Sequence, residues 1–124
     1  MNATDQALRA YAPNSANVIR TGRSSEIQAF SQITALLSDA KKQNNFNALV
    51  SALHDNRKLW SLLAVDVADA QNGLSAPLRA QIFYLAEFTA LQTGKILRKE
   101  ADVDALIDIN RAVMAGLAGN GGTQ

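Results

Sequence analysis

The fold is decided by the stretch NALVSALHDNRKLWSLLAVDVA, residues 47–68. Its apolar side chains recur at three- and four-residue steps, which places them along one face of an α-helix. This stripe consists of Leu49, Val50, Leu53, Arg57, Trp60, Ala64 and Val67. The spacing predicts a long amphipathic helix that packs against other helices and carries one arginine within its apolar face.

The rest of the chain has the same helical periodicity. Prolines occur only at positions 13 and 77, and β-branched residues nowhere alternate with polar ones as in a strand. Four main helices are predicted near 24–42, 47–68, 75–99 and 102–117. A short helix from Thr4 to about Tyr11 is expected to precede them, with a connector from Asn14 to Gly22. Because the links are short, we expect an all-α, single-domain antiparallel bundle.

Capping residues set several of the predicted helix boundaries. Ser25 and Gln28 form a capping-box pattern at the start of the helix near 24–42. Gly73 is expected to take a left-handed backbone conformation after the helix at 47–68. Ser75 then caps the next helix, whose first turn contains Pro77, where a missing N–H is not needed.

Length and composition predict one domain. The chain has 124 residues, of which 48% are hydrophobic and 19% are charged, as in globular proteins. We expect residues 1–118 to form a single helical domain. The glycine-rich residues 119–124 are expected to form a flexible C-terminal tail.

Charge, cysteine usage and hydropathy narrow the classes of function. The net charge is +1, and the Lys and Arg residues are spread along the chain, so the basic footprint of nucleic-acid binding is missing. No cysteine is available for disulfides or thiolate metal sites. No apolar run approaches the ~18 residues of a membrane span, and the N-terminus lacks the layout of a secretion signal. We therefore expect a cytoplasmic protein that neither binds nucleic acid nor inserts into membranes.

Catalytic chemistry is not predicted. His54 is the only histidine, and it cannot share a metal with Asp55 from one helix face, because adjacent helical residues diverge by about 100°. Asp102, Asp104 and Asp108 lack the spacing and the glycine of a calcium loop. No nucleophile elbow or phosphate loop occurs. We expect no enzyme activity and no catalytic, cofactor-binding or metal-binding residues.

Arg57 has two interpretations, because a guanidinium in an apolar stripe needs an acceptor. In the first, its stem packs over the core while the guanidinium reaches out or meets a carboxylate, and Asn56 and Asn110 are polar companions that help to fix the register of the helices. Candidate acceptors in that case are Glu87, Asp104, Asp108 and the carbonyls at helix ends. In the second, Arg57 binds an acidic group of a partner protein.

The helices near 47–68 and 75–99 carry more apolar surface than one inward face requires. Candidate partner-binding residues on their second faces are Leu59, Leu62, Val65, Tyr84, Phe88 and Leu91. Three explanations are open: these helices are central in the bundle, the chain forms a homodimer, or a groove takes an amphipathic helix from another protein.

Three blocks of sequence together resemble the FlaF family of bacterial flagellar biosynthesis regulators. They are Leu53-His54-Asp55-Asn56-Arg57-x-Leu59-Trp60, then Asn72-x-Leu74 with Leu78-Arg79-x-x-Ile82, and LIDINRAVMAGL at 106–117 with Asn110-Arg111 and Gly116-Leu117. The resemblance extends from about Tyr11 to Leu117. One departure is Ser75, which stands where the family pattern has proline directly after Leu74; Pro77 follows two residues later.

The resemblance implies a small cytoplasmic all-α protein that is not an enzyme. It implies a regulator of flagellin production that supports flagellin export, acting as a secretion chaperone on the amphipathic terminal helices of flagellin. The alternative is a regulator that acts through the flagellin translation regulator FlbT without touching flagellin. The residues that match the family motifs, interpreted first as fold determinants, are Asn56, Arg57, Trp60, Asn72, Leu78, Arg79 and Asn110.

Overall fold

The chain folds as a bundle of α-helices. A computed structural model describes residues 15–122, which form four helices and no strands. They are α1 (Ser15–Lys42), α2 (Phe46–Ala68), α3 (Ala76–Leu97) and α4 (Asp104–Gly122). The prediction of an all-α bundle is confirmed. The short helix predicted from Thr4 to about Tyr11 lies outside the described residues.

Two predicted helix boundaries were wrong. The connector predicted up to Gly22 is helical from Ser15 onwards, so Ser25 and Gln28 lie inside α1 and do not cap it. At the other end of the chain, α4 continues through Gly116 and Gly119 to Gly122. An isolated glycine weakens a helix by only about 1 kcal/mol, and extension of an existing helix is favourable.

The link between α1 and α2 is short and fixed by two asparagines. Asn44 has a positive φ of 51°, which turns the chain after α1. Asn45 caps α2, because its side-chain oxygen accepts a hydrogen bond of 3.0 Å from the backbone N–H of Ala48. The basic residues Lys41 and Lys42 complete the last turn of α1, where the helix dipole favours cations.

The link between α2 and α3 has the predicted capping residues. Gly73 has a φ of 92°, a conformation that residues with a Cβ rarely adopt. The hydroxyl of Ser75 accepts from the N–H of Leu78 at 3.3 Å, and Pro77 lies in the first turn of α3. These local signals are the reason that the end of α2 and the start of α3 were predicted to within one residue.

Two further motif residues hold this link in place. The side-chain oxygen of Asn72 accepts from the backbone N–H of Leu74 at 2.9 Å. Arg79 reaches back from α3 and donates from Nη1 to the carbonyl of Val67 at 3.3 Å. The arginine that bonds a helix-terminal carbonyl is therefore Arg79 and not Arg57.

The apolar core forms two clusters along the bundle. The first surrounds Trp60 and consists of Phe30, Trp60, Leu63, Val67, Leu74, Ile82, Val113 and Leu117. The second consists of Leu37, Ala52, Leu53, Ile96, Val103, Leu106 and Ile107. Phe30 and Trp60 meet edge to face, with ring centroids 5.3 Å apart. Buried residues from all four helices take part, so the helices form one domain within the described part of the chain.

A buried polar network links three of the helices. The Asn110 side chain on α4 donates to Asn56 Oδ1 at 2.8 Å and to Thr34 Oγ1 at 3.1 Å. Its own oxygen accepts from the indole Nε1 of Trp60 at 2.9 Å. All four residues are buried. Asn56 and Asn110 are therefore bonded to each other, and Trp60 and Thr34 complete the network.

Candidate partner-binding surface

Three large apolar side chains are exposed on one side of α3. Tyr84 is 66% exposed, Leu91 is 71% exposed and Phe88 is 37% exposed. At 100° per residue these three side chains lie within about 60° of one another, on a stripe that we call the α3 face. The buried residues of the same helix, Ile82, Thr89, Thr93 and Ile96, point to the opposite side. The α3 face is thus the outer side of the helix.

The packing of the bundle explains why the α3 face is uncovered. α2 packs between α1 and α3, and α4 packs mainly against α1. α3 and α4 are in contact over only a short length. Gly116 of α4 lies close to Leu78 of α3 in this region, since a Cβ added to the glycine would be 3.7 Å from a methyl group of the leucine. No described helix therefore lies over Tyr84 or Leu91.

The structure separates the three predicted residues of α2. Val65 is 72% exposed and lies on the outside of the bundle. Leu59 is half-buried and packs against the Trp60 cluster. Leu62 is also half-buried. Of the α2 candidates, only Val65 presents most of its surface to a partner.

A cleft separates α2 from α3 beside the α3 face. It encloses about 220 Å³. Its walls are Arg57, Ser61 and Ala64 from α2 and Phe83, Glu87 and Ala90 from α3. The small side chains of Ser61, Ala64 and Ala90 leave the space between the two helices unfilled at this point. We call it the α2–α3 cleft.

Arg57 differs from the other motif residues in having no bond. It is exposed and makes no hydrogen bond or ion pair with any residue that the structure describes. Of its three predicted acidic acceptors, only Glu87 lines the same cleft, and the two side chains form no ion pair. The guanidinium of Arg57 thus reaches out to solvent, without the carboxylate partner that the first interpretation also allowed.

The hydroxyl of Thr89 is a further polar group at the cleft that the sequence pattern did not indicate. Thr89 lies on the inner side of α3 and is 1% exposed. It also lines the α2–α3 cleft beside Trp60, and its Oγ1 has no hydrogen-bond partner among residues 15–122. Phe83 and Ala90 are seven residues apart, so they lie on the same side of α3. This spacing is the feature of the sequence from which the cleft could have been predicted.

The opposite side of the bundle carries a second depression, between α1 and α4. Its lining has both signs of charge, from Lys41, Lys42, Asp104, Asp108 and Arg111. Lys41 forms an ion pair with Asp104, and this hydrogen bond raises the pKa of Lys41. Because the pKa of Lys41 is raised, its side chain is fully charged at any pH below the ordinary lysine pKa, and the ion pair is intact there. The ion pair is lost only when the pH rises into the alkaline range and the lysine gives up its proton.

The described residues offer no assembled reactive or metal-binding group. In residues 15–122, no three His, Cys, Asp or Glu side chains come together in a way that would hold a metal ion. Within the same range, no helix combines the length and hydrophobicity needed to cross a bilayer. The described surface does present exposed apolar side chains and the unpaired Arg57, which are features of protein recognition.

Comparison with known families decides the assignment. Residues 7–117 match the family described as flagellar protein FlaF, which is most of the chain. The chain belongs to the FlaF family. It is thus a flagellar protein, and the resemblance seen in its three sequence blocks is confirmed. Neither the curated proteins nor the solved structures include a significant match.

Most of the motif residues of this FlaF-family chain have structural roles. Asn56, Trp60 and Asn110 belong to the buried polar network. Asn72 and Arg79 hold the link between α2 and α3, and Leu78 packs against the Trp60 cluster. Arg57 remains available for a partner.

Proposed function

We propose that this FlaF-family protein binds flagellin in the cytoplasm by docking one of its amphipathic helices on the α3 face. By that binding it regulates flagellin production and supports flagellin export. The α3 face supports this proposal, because Tyr84, Phe88 and Leu91 have the i, i+4, i+7 spacing of anchors in helix recognition. Family membership makes a flagellar protein the first partner to test.

The apolar surface is large enough to take a single docked helix. The exposed parts of Val65, Tyr84, Phe88 and Leu91 amount to on the order of 500 Å². A stable protein–protein interface buries roughly 800 Å² from each partner, of which somewhat more than half is apolar. The area therefore also suffices for a second copy of the chain, and the oligomeric state of the free protein distinguishes the two.

A chaperone has to release what it binds. The terminal helices of flagellin are expected to be disordered before polymerisation, so docking has to offset about 2–5 kcal/mol of ordering free energy. Burial of two or three large apolar side chains contributes about 1.5–3 kcal/mol each. The ordering cost therefore cancels much of the apolar gain, and we expect an affinity low enough for transient protection of an aggregation-prone segment.

The direct test measures complex formation between the purified chain and monomeric flagellin by size-exclusion chromatography with light scattering. We expect a complex with the natural chain. The double variant Tyr84→Ser/Leu91→Ser should bind about tenfold more weakly or worse, because two anchors lose their burial on docking. Leu36→Ser, at an apolar residue of α1 that is also exposed, is the matched control and should bind normally.

Two results contradict the proposal. Binding of FlbT but not of flagellin supports the regulator that acts through FlbT alone. A natural chain that is a stable dimer, and that becomes monomeric in Tyr84→Ser/Leu91→Ser, assigns the α3 face to self-association. Both proteins therefore belong in the same experiment, together with the chain on its own.

A further inference from the structure

The volume of the α2–α3 cleft limits what it can take. Pockets for small-molecule ligands measure about 300–1,000 Å³. The cleft encloses about 220 Å³, which is the size of one side chain, and it opens beside the α3 face. A helix docked along that face can place one residue into it.

The cleft has donors that lack acceptors. The Arg57 guanidinium carries five N–H groups and is without a hydrogen bond or ion pair in the part of the chain that the structure describes. The hydroxyl of Thr89 is buried and unpartnered on the same cleft. A carboxylate is the group that accepts from both, because it is acceptor-only and matches the planar fork of arginine.

Glu87 gives the cleft a direction. It lines the α3 wall, whereas Arg57 lines the α2 wall, so the two walls have opposite charges. An acidic side chain is attracted to one wall and repelled by the other. An acidic side chain that entered on the α3 side of the cleft would meet Glu87, where like charges disfavour binding.

We propose that the α2–α3 cleft receives one acidic side chain of the docked helix, and that Arg57 binds its carboxylate with Thr89 as a second donor. This inference rests on the proposed function, since the helix is that of the bound partner. Arg57 is then the residue that determines specificity, while the α3 face supplies most of the apolar contact.

The test compares three variants that line the same cleft, with flagellin as the probe and isothermal titration calorimetry as the measurement. Arg57→Met keeps the apolar stem and should bind about tenfold or more weakly, because a charge-assisted hydrogen bond is lost. Thr89→Val, which has the same shape without the hydroxyl, should lose about threefold or more. Glu87→Gln is the matched control and should bind as tightly as the natural chain or tighter.

Salt provides a second readout. Binding by the natural chain should weaken as the salt concentration is raised from 50 to about 300 mM, and binding by Arg57→Met should weaken less. Because Arg57 makes no hydrogen bond or ion pair with residues 15–122, its replacement should leave the thermal midpoint unchanged. A loss of binding in Arg57→Met therefore reports recognition and not unfolding.

The outcomes separate this inference from the proposed function. No binding of flagellin by the natural chain overturns both. Normal binding by the natural chain and by Arg57→Met overturns the inference alone. Weaker binding in Glu87→Gln together with unchanged binding in Arg57→Met shows that the cleft takes a basic side chain, which also overturns it.

A last experiment changes the acidic residues of flagellin and either leaves the cleft as it is or combines the change with Arg57→Glu. In the natural chain, replacing one Asp or Glu of the bound flagellin helix by Lys should weaken binding. The same replacement should restore binding to Arg57→Glu, because the two charges are exchanged. If no acidic position of that helix restores binding, the carboxylate contact does not exist.

Discussion

At the scale of single residues, the centre of the bundle depends on the hydrogen bond between Trp60 and Asn110. The indole N–H donates to the Asn110 oxygen at 2.9 Å, and both side chains are buried. A buried donor that loses its acceptor costs about 1–3 kcal/mol, more than the net gain from forming the bond. Removing either partner should therefore destabilise the protein beyond the loss of its own contacts.

A double-mutant cycle measures this bond. Asn110→Ala should lower the free energy of unfolding by about 2–4 kcal/mol, because Trp60, Asn56 and Thr34 all lose a partner. Trp60→Phe should cost about 1–3 kcal/mol, and the larger truncation Trp60→Ala about 3–5 kcal/mol. The double variant Trp60→Phe/Asn110→Ala should cost about 1 kcal/mol less than the sum of its two single changes. Strict additivity in urea unfolding would show that the bond contributes nothing.

The polar residues of the core could be predicted, whereas their partners could not. The stripe pattern placed Asn56 and Asn110 at buried positions, because each falls at a helical step from apolar neighbours. It placed Arg57 there as well, although the structure exposes that side chain. A stripe gives the direction of a side chain only to within tens of degrees. An error of that size is enough to place in the core a residue that lies on the wall of a cleft.

At the scale of the helices and their links, two glycines should respond to alanine with opposite signs. Gly73 has a φ of 92°, so Gly73→Ala should cost about 1 kcal/mol in strain. Gly116 lies inside α4, where an added Cβ meets only a Leu78 methyl at 3.7 Å. Gly116→Ala should therefore stabilise the protein by about 0.5–1 kcal/mol through helix propensity. Equal effects of the two variants in thermal unfolding would contradict this assignment of their conformations.

Helix ends were predictable where a side chain caps the backbone. The boundaries around 68–76 followed from Gly73, Ser75 and Pro77, whose effects are local. At the start of α1 and at the end of α4 the prediction placed breaks at glycines, and both helices continue through them. Composition alone does not decide whether a helix continues through a glycine, because the cost of about 1 kcal/mol is close to what neighbouring turns contribute.

At the scale of the whole molecule, the arrangement of the helices decides which apolar residues remain exposed. Val65, Tyr84, Phe88 and Leu91 were selected from the sequence because they lie off the inner stripes, and they have exposed surface in the structure. Leu59 was selected by the same rule, yet it packs against the Trp60 cluster. A helical wheel shows which residues lie off the inner stripe, but not on which side another helix packs.

The polar network should select one arrangement of the helices at the expense of stability. Replacing the whole network by apolar residues, as Thr34→Val/Asn56→Leu/Trp60→Phe/Asn110→Leu, removes every buried donor and acceptor of the network together. We expect this variant to be as stable as the natural chain or up to a few kcal/mol more stable in urea unfolding, because no group is left unsatisfied. Asn110→Ala alone is the control, and it should be clearly destabilised.

We expect the apolar variant to lose the unique arrangement of its helices. Leucine and valine in a four-helix core allow several registers of similar energy, whereas Asn110 can satisfy Trp60, Asn56 and Thr34 in only one. The apolar variant should therefore give broader amide resonances or mixed oligomers, and it should bind flagellin more weakly because α2 and α3 no longer hold the cleft open. Sharp spectra with unchanged binding would mean that packing alone fixes the register and that the network is dispensable.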